Sequence, residues 1–249
     1  RQMVLFDLGA RRFYIFGLVL YPQDFIYLTG LLIISALSLF LFTAVAGRLW
    51  CGFACPQTVY TEMFMWIEHK IEGDRSARLR LDNGPWTFEK IRKKFFKQVV
   101  WIAVALWTGF TFVGYFVPIR ELGSELLAFQ GSWQIFWVLF YGFATYGNAG
   151  FMREQVCKYM CPYARFQSAM FDKDTLIVTY DPERGEQRGP RKKNIDYKAQ
   201  GLGDCIDCSL CVQVCPVGID IRKGLQYECI GCGLCVDACN TVMDKMQYP

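Results

Sequence analysis

Twelve cysteines carry the chemistry written into this 249-residue chain, and eight of them fall between residues 205 and 239. Cys205, Cys208, Cys211 and Cys215 form a C-x2-C-x2-C-x3-C run closed by Pro216, and Cys229, Cys232, Cys235 and Cys239 repeat the spacing. Bacterial ferredoxins hold two [4Fe-4S] clusters with this spacing, the fourth cysteine of each run reaching across to the other cluster. The implied ligand sets are Cys205, Cys208, Cys211 and Cys239 for one cluster, and Cys229, Cys232, Cys235 and Cys215 for the other. Zinc modules usually separate two C-x2-C pairs by a longer loop and place no third ligand at x2. Asn240 stands where the first run has Pro216, which predicts an adjusted backbone there and intact ligation.

The other four cysteines form a second repeated motif. Cys51-Gly-Phe-Ala-Cys55-Pro56 and Cys157-Lys-Tyr-Met-Cys161-Pro162 are 106 residues apart, a parallel duplication of one CxxxCP elbow. Cysteines at i and i+4 can share one helical face, with sulfurs close enough for a soft ion. A proline has no N–H to lose in the first turn of a helix, so each elbow predicts a new helix starting behind it. Three uses compete for the four thiols: holding Cu(I) or another soft metal, cycling between dithiol and disulfide, or packing as inert side chains.

The elements that must position these sulfurs are long and apolar. Hydrophobic residues make up 53% of the chain and the mean hydropathy is positive. Three runs without a charged residue, about 25–46, 99–117 and 133–151, are each long enough to cross a hydrocarbon core of about 30 Å. Phe13–Leu20 is too short to span and reads as an interfacial or re-entrant piece. The loop 61–98 carries nine Lys and Arg, 118–132 carries one, and 152–203 carries ten. This asymmetry puts both elbows and the cysteine-rich end on the cytoplasmic side, where thiols stay reduced.

The expected fold is a mainly α membrane protein, a transmembrane helix bundle with a small α+β two-cluster ferredoxin domain. Residues 1–171 form the membrane domain with three spans and both elbows, 172–203 a strand-turn linker with its strand at Thr175–Tyr180, and 204–249 the cytoplasmic ferredoxin domain. The net charge of +4 is modest and carries no nucleic-acid signal. His69 is the only histidine, which excludes bis-histidine haem, and no phosphate-binding glycine loop or nucleophile elbow is present.

These motifs together resemble the FixG/RdxA/CcoG family of cytochrome c oxidase accessory proteins. The likeness runs through Phe6–Arg11, Trp50–Pro56, Cys157–Arg165, Phe171–Thr175 and both ferredoxin runs. It implies a multi-pass protein of the bacterial inner membrane that reduces Cu(II) to Cu(I) during assembly of a cbb-type oxidase. Membrane lipid, copper ion, a copper chaperone or exporter and oxidase assembly factors are then the partners; the electron donor is not named by the residues. Joining both constellations makes Cys51, Cys55, Cys157 and Cys161 the copper-binding and catalytic residues, fed by electrons from the two clusters. Two other functions share these features: a quinol-linked electron carrier resembling NapH and NosR, and a non-redox assembly scaffold.

Overall fold

The computed structural model describes residues 2–193 and 196–248. It opens on an antiparallel sheet of three short strands, β1 (Val4–Asp7), β2 (Arg12–Ile15) and β3 (Leu18–Leu20), in the order β1-β2-β3. Phe16 and Gly17, both with positive φ, make the two-residue turn that suits the twist of a tight hairpin. Phe6 pairs with Phe13, and Phe13 in turn with Leu20. Phe13–Leu20 is therefore sheet, not a re-entrant membrane piece. The left-handed pair Phe16-Gly17 turns the chain back on itself before it can run on.

Helix α1 (Phe25–Ala46) has 22 residues without a charge, about 33 Å of helix. The short α2 (Leu49–Phe53) and the longer α3 (Pro56–Glu72) follow, then α4 (Arg75–Asn83), α5 (Phe88–Val113), α6 (Ile119–Leu127) and α7 (Ser132–Thr145). The second apolar run is thus the rear part of a longer helix, which starts at a Thr87 cap accepting from the Lys90 N–H. The third run differs from its expected form. Its α-helix is 14 residues, about 21 Å, and the chain continues as π-helix through Tyr146–Met152. Among the described residues two helices, Pro22–Ala46 and Phe88–Val113, are long and apolar enough to cross a membrane. A three-span bundle therefore is not carried by helix length alone.

Behind Met152 come a π-helical turn (Val156–Met160), α8 (Pro162–Ala169), the single turns α9 (Pro182–Gly185) and α10 (Leu210–Gln213), and α11 (Leu234–Met246). The strand expected at Thr175–Tyr180 is absent, and the ferredoxin segment contains no strand among the described residues. A ladder needs a neighbour, and this stretch spends its donors elsewhere. The Leu176 N–H goes to the Val45 carbonyl and the Thr175 hydroxyl to the Ala44 carbonyl, groups left open at the end of α1.

The chain divides into two units: residues 1–37 with 59–152, and residues 38–58 with 153–249. The elbows and the rear of α1, from Ser38, group with the cysteine-rich segment. In the first unit α5 and α7 pack so closely that a Cβ on Gly109 would overlap the Val138 carbonyl oxygen. Phe64, Trp101, Ala105 and Ala149 form its core, and the Trp101 indole donates to the Phe64 carbonyl. Beside them the Lys97 ammonium meets Glu68 at 3.1 Å and Glu72 at 2.8 Å, while Lys94 bridges Glu72 and Asp82 and Arg78 pairs with Glu68. Part of the charge in the 61–98 segment thus forms a buried ion-pair network.

Candidate functional site

All twelve cysteines lie in the second unit. The two ferredoxin runs fold alike around their middle cysteine. Asp207 and Ser209 flank Cys208 with left-handed backbone, as Gly231 and Gly233 flank Cys232. Glycine takes this conformation freely, whereas Asp and Ser adopt it at some cost, which marks the loop shape as required. The third cysteine of each run then starts a helix, Cys211 on α10 and Cys235 on α11. The runs part at their fourth cysteine. Pro216 follows Cys215 in a turn, while Asn240 keeps its N–H and lets α11 continue through Cys239 to Met246.

The neighbours of each sulfur are crossed between runs. Cys239 lies within electrostatic reach of Cys205 and Cys208, and Cys211 of the same two. Cys235 lies within reach of Cys229, Cys232 and Cys215. Cys215, Cys229, Cys232 and Cys235, with Cys211, line one cavity walled by Val217, Ile219, Ile221 and Ile230; Cys205, Cys211 and Cys239, with Cys235, line a second. The Gly231 N–H points at the Cys229 sulfur at 3.5 Å. Among the described residues no three His, Cys, Asp or Glu side chains stand close enough to share a single metal ion. Thiolates around an iron–sulfur cube stand farther apart than those around one ion. Two sulfur-lined cavities, the first otherwise apolar and the second also lined by Asp181, Arg184, Asp204 and Arg222, therefore fit the cubes that the spacing implies. Burial pushes the Cys235 thiol up to about 11, with Cys229, Cys232 and Cys215 acting in the same direction.

The elbows are built by helix ends. Cys51 sits on α2, whose last turn is closed by the Ala54 and Cys55 N–H groups, both donating to the Trp50 carbonyl. Cys55 lies beyond that helix, and Pro56 is the first residue of α3. Cys157 sits in the π-helical turn, Cys161 caps α8, and Pro162 opens it. Both prolines thus start helices as the motif predicts, but each cysteine pair straddles a helix end and does not share one face. Cys157 lies within electrostatic reach of Cys55, Cys161 and Cys51, so the four elbow sulfurs form one neighbourhood. Burial pushes the Cys157 thiol up to about 11, those three neighbours add to the rise, and Arg48 opposes it.

Three residues at this site carry no motif. Gln167, fully buried, accepts from the Cys51 thiol at 3.2 Å and donates to the Thr43 hydroxyl. Arg48 is 5% exposed, with Nη1 donating to the Cys229 carbonyl and Nη2 to that of Ala164. Gly52 packs on the second ferredoxin loop, where a Cβ would lie 3.0 Å from both the Cys232 Cα and the Ile230 carbonyl oxygen. Only Arg48 had a visible signal: a cation directly behind an uncharged run and three residues before Cys51. Cys51 and Cys157 pack with Cys211, Cys215, Cys229, Cys232 and Cys235 against the core of Val217, Ile219, Ile221 and Ile230.

The two ferredoxin quartets define an iron–sulfur electron-transfer protein. Residues 152–249 match a 4Fe-4S dicluster domain family, and residues 28–73, which include the first elbow, match a 4Fe-4S binding domain family. The chain is 48% identical over 246 residues to the nitrogen fixation protein FixG of Rhizobium meliloti, covering 98% of this chain and 47% of that protein. It is 47% identical to both Protein RdxA and Protein RdxB of Cereibacter sphaeroides, covering 100% of this chain and 52% of each. No solved structure matches. The chain belongs to the FixG/RdxA family and spans about half the length of the curated relatives it matches.

Proposed function

We propose that this chain is the electron-transfer part of a membrane-held cupric reductase, acting on Cu(II) at Cys51, Cys55, Cys157 and Cys161. The observation that carries the reading is the gathering of four elbow sulfurs, from segments 106 residues apart, with Cys51 and Cys157 packed against the core shared with the second ferredoxin quartet. Clusters held by the two quartets supply one-electron storage and transfer. Thiolates favour Cu(I) over Cu(II), so a sulfur site draws the copper couple toward reduction. Each Cu(II) takes up one electron and leaves as Cu(I), no atom is transferred, and a redox protein or quinol replaces the electron. Cu(I) accepts as few as two thiolates, so a pair drawn from the quartet suffices to hold it. Gln167 fixes the Cys51 sulfur, and the isoleucine-rich wall keeps water from the path.

In this reading α1, α5 and α7 with its π-helical extension cross the bacterial inner membrane. The nine-one-ten distribution of Lys and Arg supports a cytoplasmic position for the cysteines. Copper passes to a chaperone or exporter and serves assembly of a cbb-type cytochrome c oxidase. The test is cupric reduction by iron-loaded protein carrying Cys51→Ser and Cys157→Ser. A loss of tenfold or more with both cluster signals retained is expected. Undiminished turnover would remove the elbows from the reaction and leave an electron carrier of the NapH and NosR kind.

A further inference from the structure

Arg48 is a buried cation set between two sulfur sites. It precedes α2 directly, is 5% exposed, and its guanidinium is fixed from two sides by backbone carbonyls. Nη2 donates to the Ala164 carbonyl at 2.6 Å, on the helix that follows the second elbow. Nη1 donates to the Cys229 carbonyl at 3.2 Å, on the second ferredoxin run. The Phe171 ring covers it at 5.8 Å, and Gly231 of the cysteine loop lies beside its backbone and Cβ. Nε is buried and has no acceptor among the described residues.

Carbonyls satisfy hydrogen bonds but do not neutralise a charge. Burying an unpaired guanidinium is costly, so its field must fall on an anion that benefits. No carboxylate makes an ion pair with Arg48 among the described residues; Glu228 lies within its field, not in contact. The other groups in that field are the sulfurs of Cys51, Cys229 and Cys157. Reduction of a thiolate-bound cluster adds one negative charge, and a fixed cation in a low-dielectric site stabilises the more negative state.

We propose that Arg48 is a positioning residue that raises the reduction potential of the cluster held by Cys215, Cys229, Cys232 and Cys235. It joins that quartet electrostatically to the elbow sulfurs. The inference rests on the electron-transfer reading above but not on copper as the acceptor. It biases electrons toward the cluster beside the elbows, where they are to leave, against the fields of Arg222 and Arg184 on Cys211 and Cys239 of the other quartet.

The experiment is an EPR-monitored redox titration of the iron-loaded chain, as wild type, Arg48→Gln and Arg48→Lys, with iron content measured on each sample. Arg48→Gln is expected to move one cluster to a more negative potential and leave the other in place, with iron unchanged. Arg48→Lys keeps the charge but loses the planar fork, so it moves the same cluster by less. Unchanged potentials in Arg48→Gln, or equal movement of both clusters, would overturn the proposal. If Arg48→Gln fails to load iron, Arg48→Lys decides alone. A negative shift confined to one cluster supports the role, and no shift or a common shift ends it. A cluster signal that titrates normally while copper reduction fails in the cysteine variants would separate this inference from the reductase reading.

Discussion

Asp220 and Arg222 lie between the two cysteine runs and show how single residues tune this unit. Arg222 grips Asp220 with Nε on one carboxylate oxygen and Nη2 on the other, each at 2.8 Å, and also reaches Asp207 at the first run. That grip holds the Asp220 carboxyl below its ordinary value. A carboxyl depressed in the folded state contributes stability above its unfolded value, about 3.9, and loses it as pH falls through the folded value. Asp220→Asn is expected to cost about 1 kcal/mol at pH 7, because the pair is part-exposed and screened. Its deficit against wild type should shrink toward zero below pH 4, read from unfolding midpoints across pH 3 to 7. At this scale the cysteines were legible because ligand chemistry fixes their type and spacing. Gln167 was not, and Arg48 showed only its position behind the uncharged run, since the burial of a polar side chain depends on which distant segment packs over it.

Elements were readable where one property decides them. An uncharged run of 22 residues made α1, and the proline behind each elbow opened a helix. The errors came where a tertiary partner decides instead. Thr175–Tyr180 has the β-branched pattern of a strand, but its donors bind the open carbonyls at the end of α1. Phe13–Leu20 lacked the length for a span, and its positive-φ turn at Phe16-Gly17 makes it a hairpin. The ion pairs between α3, α4 and α5 were hidden for the same reason. Lys97, with its side chain 7% exposed, joins α5 to both Glu68 and Glu72 of α3. Lys97→Met leaves two buried carboxylates sharing fewer cations and should cost about 3 kcal/mol. Chemical denaturation of detergent-solubilised protein measures this, and Lys93→Met, whose pairing with Glu89 is one i,i+4 surface contact, should cost less than about 0.5 kcal/mol.

Over the whole molecule the division into units is the result least visible in sequence, because two segments with residues 59–152 between them make up one unit. Apart from α11, the cysteine-rich segment 204–248 has only single turns of helix and a core of four buried aliphatic side chains. Such a segment has little to hold it besides what its sulfurs bind. Anaerobically prepared protein should carry about eight irons and eight sulfides per chain. Removing the iron with a chelator should abolish protease resistance across 204–248 while leaving the 59–152 helices protected. Intact protection of 204–248 without iron would show that the polypeptide alone holds this fold.

The crossed pairing of sulfurs has a consequence in time. Cys215 has Cys229 and Cys235 as neighbours, while Cys239 has Cys205 and Cys208. A ribosome that has made only the first run has produced three partners and one stranger. One nest closes only when residue 235 has emerged and the other only at residue 239, so a product terminated before the second run has no half-built wire to poison the cell with stray electrons.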